Sequence, residues 1–326
     1  MAHLSSATLS RTVTRLTLAG IAIMVPILVL FGCGSDAAAP PTPIPPDDPP
    51  PAAAPALAYF VLQDADIFGP NWLAAFRRYR TIIVNPAIDS TLLAEAFADL
   101  PDARFLAYVD AQNAPERGVN DSHFWRAFWQ RFDPRWLGTN LDTSAPLRMY
   151  REYAKLVWFV LDEPAVEMLV ALIRERVMPL GFDGVYIDNL TQSLPEWEIA
   201  VATRAASRID VNGDGIADPP AAWRAQYAAW NPVLSARLRA ALPNAILIAN
   251  AGGPRVDAAL NGITLEQVGG ALGAGESRAI FLAQHAVSRA PAISVAWIRS
   301  DNALAVARGM ALPFVQLGKL PGGPDL

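Results

Sequence analysis

Seven short apolar runs in this chain end on an acid or an amide: Asp64, Asn85, Asp110, Asp162, Asp188, Asn250 and Glu266. An eighth ends on Trp297 and Arg299. Carboxyl groups gathered at strand ends suit hydrolysis by a pair of acids, one protonating a leaving oxygen and the other attacking or activating water. The most informative stretch is Gly181-Phe182-Asp183-Gly184-Val185-Tyr186-Ile187-Asp188-Asn189. A helical run, Ala165 to Pro179, stops at Gly181, and strand-forming residues then end in an acid, which is how a buried parallel strand delivers a carboxylate to a site. Alternation puts Tyr186 and Asp188 on one face and Val185 and Ile187 on the other.

The second carboxylate is expected at Glu266. In Gly262-Ile263-Thr264-Leu265-Glu266 the apolar Ile263 and Leu265 point one way, and Thr264 and Glu266 point the other. Burial beside apolar neighbours would make Glu266 the proton donor, while Asp188 stays ionised. Asp64, Asp110, Tyr186, Asn189, Asn250, Trp297 and Arg299 are then expected to contact substrate. Asp and Asn also cap helices and close turns. That alternative applies most directly to Asp162, which precedes Glu163-Pro164, and to Asn85 before Pro86. For Glu266 the corresponding alternative is a cap or an ion-pair partner. His123 and His285 have no partner motif, and no G-x-S-x-G nucleophile elbow is present.

These side chains require strands to hold them. Candidate strands are Leu57 to Asp64, Thr81 to Asn85, Arg104 to Asp110, Lys155 to Asp162, Asp183 to Asp188, Ala245 to Asn250, Gly262 to Glu266 and Ala292 to Arg299. They alternate with longer helical runs, which predicts an α/β fold, a single (β/α)8 TIM barrel whose active face is formed by the C-terminal strand ends. An excursion, Ala111 to Glu152, carries Phe124, Trp125, Phe128 and Trp129 at helical spacing, which reads first as core and second as a sugar-stacking surface.

The motif G-F-D-G-V-Y-I-D-N resembles the core motif of a group of TIM-barrel glycoside hydrolases, best represented by glycoside hydrolase family 114, the endo-α-1,4-polygalactosaminidases. By order of elements the resemblance extends over Ala58 to Arg299, with specificity concentrated in this motif. It implies that Asp188 is a catalytic carboxylate. It also implies a catalytic Glu late in the barrel, for which the looser context T-L-E-Q offers Glu266.

Ahead of the barrel, Arg11 and Arg15 precede an apolar run, Leu16 to Phe31, with the layout of a secretory signal. It closes on Leu30-Phe31-Gly32-Cys33, which resembles a bacterial lipobox. Residues 1–32 are thus expected to be a lipoprotein signal peptide, 33–56 a lipidated Cys33 with a Pro/Ala-rich linker, and 57–326 the barrel. With Gly34 after the cysteine, an outer-membrane or surface location is expected. Cys33 is the only cysteine, so the exported domain relies on its core. Taking two arginines of the signal from the 26 basic residues leaves 24 against 31 acidic, a formal net charge of −7, which argues against nucleic acid as a partner.

Asp210-Val211-Asn212-Gly213-Asp214-Gly215-Ile216-Ala217-Asp218 matches the first nine positions of an EF-hand calcium loop. Its ligands would be Asp210, Asn212, Asp214, the Ile216 carbonyl and Asp218. The twelfth position is Ala221 rather than Glu, so either a structural Ca²⁺ or an ion-free Asx turn fits. No cofactor is expected for catalysis. The reading is an exported, membrane-anchored monomeric glycosidase acting on a polysaccharide; the alternative is a non-catalytic carbohydrate-binding lipoprotein on a degenerate barrel.

Overall fold

A computed structural model describes residues 57–61, 76–77, 79–120, 122–147, 155–190, 208–250, 256–265, 274–293, 295–297 and 315–318. The expected signal, Cys33 and the linker lie outside them. The strands in chain order are β1 (Leu57–Val61), β2 (Thr81–Val84), β3 (Arg104–Asp110), β4 (Asn113–Pro115), β5 (Thr139–Asn140), β6 (Ala145–Pro146) and β7 (Leu156–Trp158). They continue with β8 (Gly184–Asp188), β9 (Ile209–Asp210), β10 (Ile246–Asn250), β11 (Gly262–Leu265), β12 (Val295–Trp297) and β13 (Val315–Gly318). Eight of them, all parallel, close a ring in the order β1-β13-β12-β11-β10-β8-β3-β2.

The number of barrel strands is as expected, and one member differs. Lys155 to Asp162 is not a barrel strand. Its central residues form β7, which pairs antiparallel with β4 beside the ring. The remaining barrel strand is β13, whose V-Q-L-G run is too short and too little patterned to stand out. Asp188 therefore ends the fourth barrel strand rather than the fifth. Strand β11, which leads to Glu266, is the sixth rather than the seventh.

Side-chain alternation divides each strand between two layers. Ile83, Leu106, Tyr186, Ile246, Ile248, Ile293 and Val295 pack inside the ring with Tyr108 against them. Val185, Ile187, Leu247, Ile263 and Leu265 point outward into a larger core. That core is shared with Leu93 and Ala96 of α1 (Ser90–Asp99), Leu169 and Leu172 of α3 (Glu163–Leu172), and Leu234 and Leu238 of α4 (Pro220–Ala241). Complete burial of such aliphatic side chains stabilises by about 1.5–3 kcal/mol each, so this layer is the main support of the strand ends. The inner layer is tight at its base: a Cβ on Gly184 would lie 1.9 Å from the Ile246 carbonyl oxygen. Glycine is the residue that permits that approach.

Helix α2 (His123–Arg131) lies in the excursion and buries Phe124, Trp125 and Phe128, so its aromatic cluster is core. Trp129, partly buried, donates to the Pro115 carbonyl. Asp162 caps α3, accepting from the Ala165 amide at 2.8 Å and from the Trp136 indole at 3.0 Å. After α3 the chain winds through a π turn and a 3-10 turn to Gly181, whose φ of 100° ends the helix in the left-handed region. The remaining described helix is α5 (Ala274–Val287).

Candidate active site

Strands β3 and β8 are neighbours, with Tyr108 paired to Tyr186 and Asp110 to Asp188. Each carries Tyr-X-Asp, so two tyrosines stack inside the barrel, centroids 6.0 Å apart, below two carboxylates at its C-terminal mouth. On the other side of β8, Ile187 pairs with Ala249, which brings Asn250 beside Asp188. Asn250 pairs in turn with Thr264. Asp110, Asp188, Asn250 and Thr264 therefore form a polar row across four consecutive strands.

Asp188, partly exposed, is held by three donors. Its Oδ2 accepts from the Tyr108 hydroxyl at 2.6 Å, and its Oδ1 accepts from the Asn250 side-chain amide at 2.9 Å and the Asn189 backbone N–H at 2.8 Å. Asn189 adopts a left-handed φ of 54°. Its Nδ2 donates to Asp110 Oδ2 at 2.9 Å. Asp110 is 7% exposed. Its Oδ1 accepts from the Gln112 and Asn113 backbone amides, both at 2.9 Å, and the Asn113 side-chain amide reaches Oδ2 at 3.2 Å. Burial, and then the charge of Asp188, push the Asp110 carboxyl up to about 7 against the pull of these N–H donors. Burial and the same two carboxylates raise the Tyr108 phenol well above its ordinary range, so it remains a proton-bearing donor to Asp188.

The structure thus brings together Asp110, Tyr186, Asp188, Asn189 and Asn250 of the expected site residues. Tyr186 is buried within the barrel at 2% exposure, below the carboxylates. Asp64, Glu266 and Arg299 lie outside the described residues, and Trp297 ends β12 without a described side chain. Tyr108 was not among the expected residues, although its signal was present: it precedes Asp110 by two, as Tyr186 precedes Asp188. Thr264 is a second addition, fully buried in the inner layer, its hydroxyl without a hydrogen-bond partner among the described residues.

The loop Asp210 to Asp218 folds as a ladder of side-chain-to-amide bonds. Asp210 Oδ1 accepts from the Asn212 and Gly213 amides, and Oδ2 accepts from Gly215. Asn212 accepts from the Asp214 amide, Asp214 from Ile216, and Asp218 from Val211. Ile216 projects into solvent. Among the described residues no three His, Cys, Asp or Glu side chains form a group that could hold a metal ion.

At the barrel mouth the groups suit chemistry at a carbon whose leaving oxygen is protonated by a second acid. Asp188 accepts three hydrogen bonds that fix its rotamer, and it is the more exposed of the two acids. Such a group can attack, or stabilise positive charge developing at, a sugar's anomeric carbon. Asp110, enclosed and held by amides, is placed to support it.

No family model matches the chain, and no curated protein matches it. Among solved structures, the glycoside hydrolase domain of PelA from Pseudomonas aeruginosa superposes with a TM-score of 0.50 at 12% identity, covering 81% of this chain and 95% of that one. Ega3 of Aspergillus fumigatus, solved in complex with galactosamine, gives 0.43 at 10% identity, with 82% and 91% covered. Alpha-L-fucosidase isoenzyme 2 of Paenibacillus thiaminolyticus gives 0.49 at 12% identity over 83% of this chain and 46% of that one. The chain has a mixed α/β fold with a curled parallel sheet, shared with the PelA glycoside hydrolase domain at low sequence identity.

Proposed function

We propose that this protein is an exported glycoside hydrolase, tethered to a membrane through Cys33, that cleaves a polysaccharide with Asp188 and Glu266. The observation that carries the reading is the setting of Asp188: a solvent-reaching carboxylate at the end of a barrel strand, fixed by Tyr108, Asn189 and Asn250. The likeness in fold to a glycoside hydrolase domain, and the motif around Asp188, support the same class of reaction.

Glu266 follows β11 directly, and a single strand, β10, separates β11 from β8. With strands about 4.8 Å apart, the two backbones are separated by roughly 10 Å. With side chains leaning inward, the two carboxyl groups are expected about 5–9 Å apart, a range that includes both the retaining and the inverting geometry. In this reading Asp188 is the nucleophile or charge stabiliser and Glu266 the proton donor, with Asn250, Trp297 and Arg299 contacting sugar hydroxyls.

Release of reducing ends from galactosaminogalactan and from bacterial exopolysaccharides tests the proposal. Glu266→Gln should lower the rate by roughly 10²–10⁴-fold on whichever glycan the wild type cleaves, the usual contribution of a positioned acid. A protein that binds such a glycan without cleaving it would be a carbohydrate-binding lipoprotein on the same barrel.

A further inference from the structure

Asp110 is too enclosed to meet a polysaccharide, yet it stands one strand from Asp188 in exact register and is gripped by amides on two sides. We propose that Asp110 is a positioning residue which, through Asn189, sets the direction in which the Asp188 carboxylate faces. This rests on the reading of Asp188 as the reacting carboxylate.

Asn189 is one of two described non-glycine residues with positive φ, a conformation that needs support from its surroundings. The support is visible. Its side-chain amide donates to Asp110 Oδ2 at 2.9 Å while its backbone N–H donates to Asp188 Oδ1 at 2.8 Å. Asp110 does not yield to this pull, because the Gln112 and Asn113 backbone amides hold its other oxygen, Oδ1, and the Asn113 side chain shares Oδ2. The Ala111 N–H also donates to the Asp188 carbonyl at 3.0 Å, tying the ends of β3 and β8 together. Asp188 shares Oδ1 between Asn189 and Asn250 and gives Oδ2 to Tyr108, so turning the carboxylate breaks all three bonds. Moving residue 189 removes the one bond whose donor is part of the backbone.

Hydrogen exchange at the residue 189 amide reads the tether without any substrate. Asp110→Ala and Asn189→Gly should each speed that exchange by at least about tenfold while amides of β10 keep wild-type protection. Glycine adopts the left-handed conformation freely, so Asn189→Gly folds even where Asp110→Ala does not. The exchanged pair, Asp110→Asn with Asn189→Asp, reverses donor and acceptor and should restore protection. Unchanged exchange in Asn189→Gly overturns the proposal, as does a loss of protection that the exchanged pair fails to restore. On a glycan the wild type cleaves, Asn189→Gly should lower kcat and leave KM near its original value. A wild type that cleaves no glycan removes the glycosidase reading, and the exchange measurement still decides whether Asp110 acts through Asn189.

Discussion

Between about pH 4 and pH 7 the protonation of Asp110 is coupled to folding. Its carboxyl is raised from an ordinary 3.8 to about 7, so over that window the folded chain holds a proton that the unfolded chain releases. The stability this contributes is complete below about pH 4 and is lost as pH rises through 7. Urea midpoints at pH 4.5 and pH 7.5 should therefore show wild type losing more stability with rising pH than Asp110→Asn; equal slopes would mean that the N–H donors around Asp110 outweigh its burial. At this scale the sequence was informative about Asp188 and less so about Asp110. A Tyr-X-Asp at the end of one strand is legible, but that two such strands pair in register depends on their becoming neighbours. That adjacency sets Asp110, an expected sugar contact, in register beside Asp188 and brings the Tyr108 hydroxyl onto the Asp188 carboxylate.

Among the elements, the barrel strands were legible where an apolar run met an acid, as in Arg104–Asp110 and Gly184–Asp188. Leu156–Trp158 misleads because burial on both faces gives the same apolar run whether a strand joins the ring or pairs antiparallel beside it. Hydrophobic pattern carries no direction of pairing. Asp162 was legible as a helix cap, because Glu163-Pro164 follows it and proline suits a first helical turn. The Asp210 to Asp218 loop tests the calcium proposal at this scale. Its side-chain oxygens accept from the loop's own backbone amides, and among the described residues no three acids gather into a group that could hold a metal ion. Binding at a hundredfold excess over Kd would stabilise by about 2.7 kcal/mol, so the melting temperature should rise with calcium and fall back with chelator. Coincident curves, in wild type and in Asp214→Ala alike, would leave an ion-free turn.

For the whole molecule, the expected order is a leader, a Pro-rich stalk and one barrel of parallel strands, and the described residues all lie in the barrel region. A lipid on Cys33 would tether the barrel to a membrane through the linker. Cys33→Ser should then either move the protein from the detergent phase to the aqueous phase or leave an unprocessed chain with the mass of its leader retained. An unchanged mass together with unchanged partitioning would contradict the anchor. Whether Asp188 at the mouth of this barrel is a reacting carboxylate is decided by one isosteric substitution. Reducing-end release by Asp188→Asn, compared with wild type on the same glycan after both are shown to melt alike, should fall by at least about a hundredfold. Equal rates from the two proteins would contradict the account.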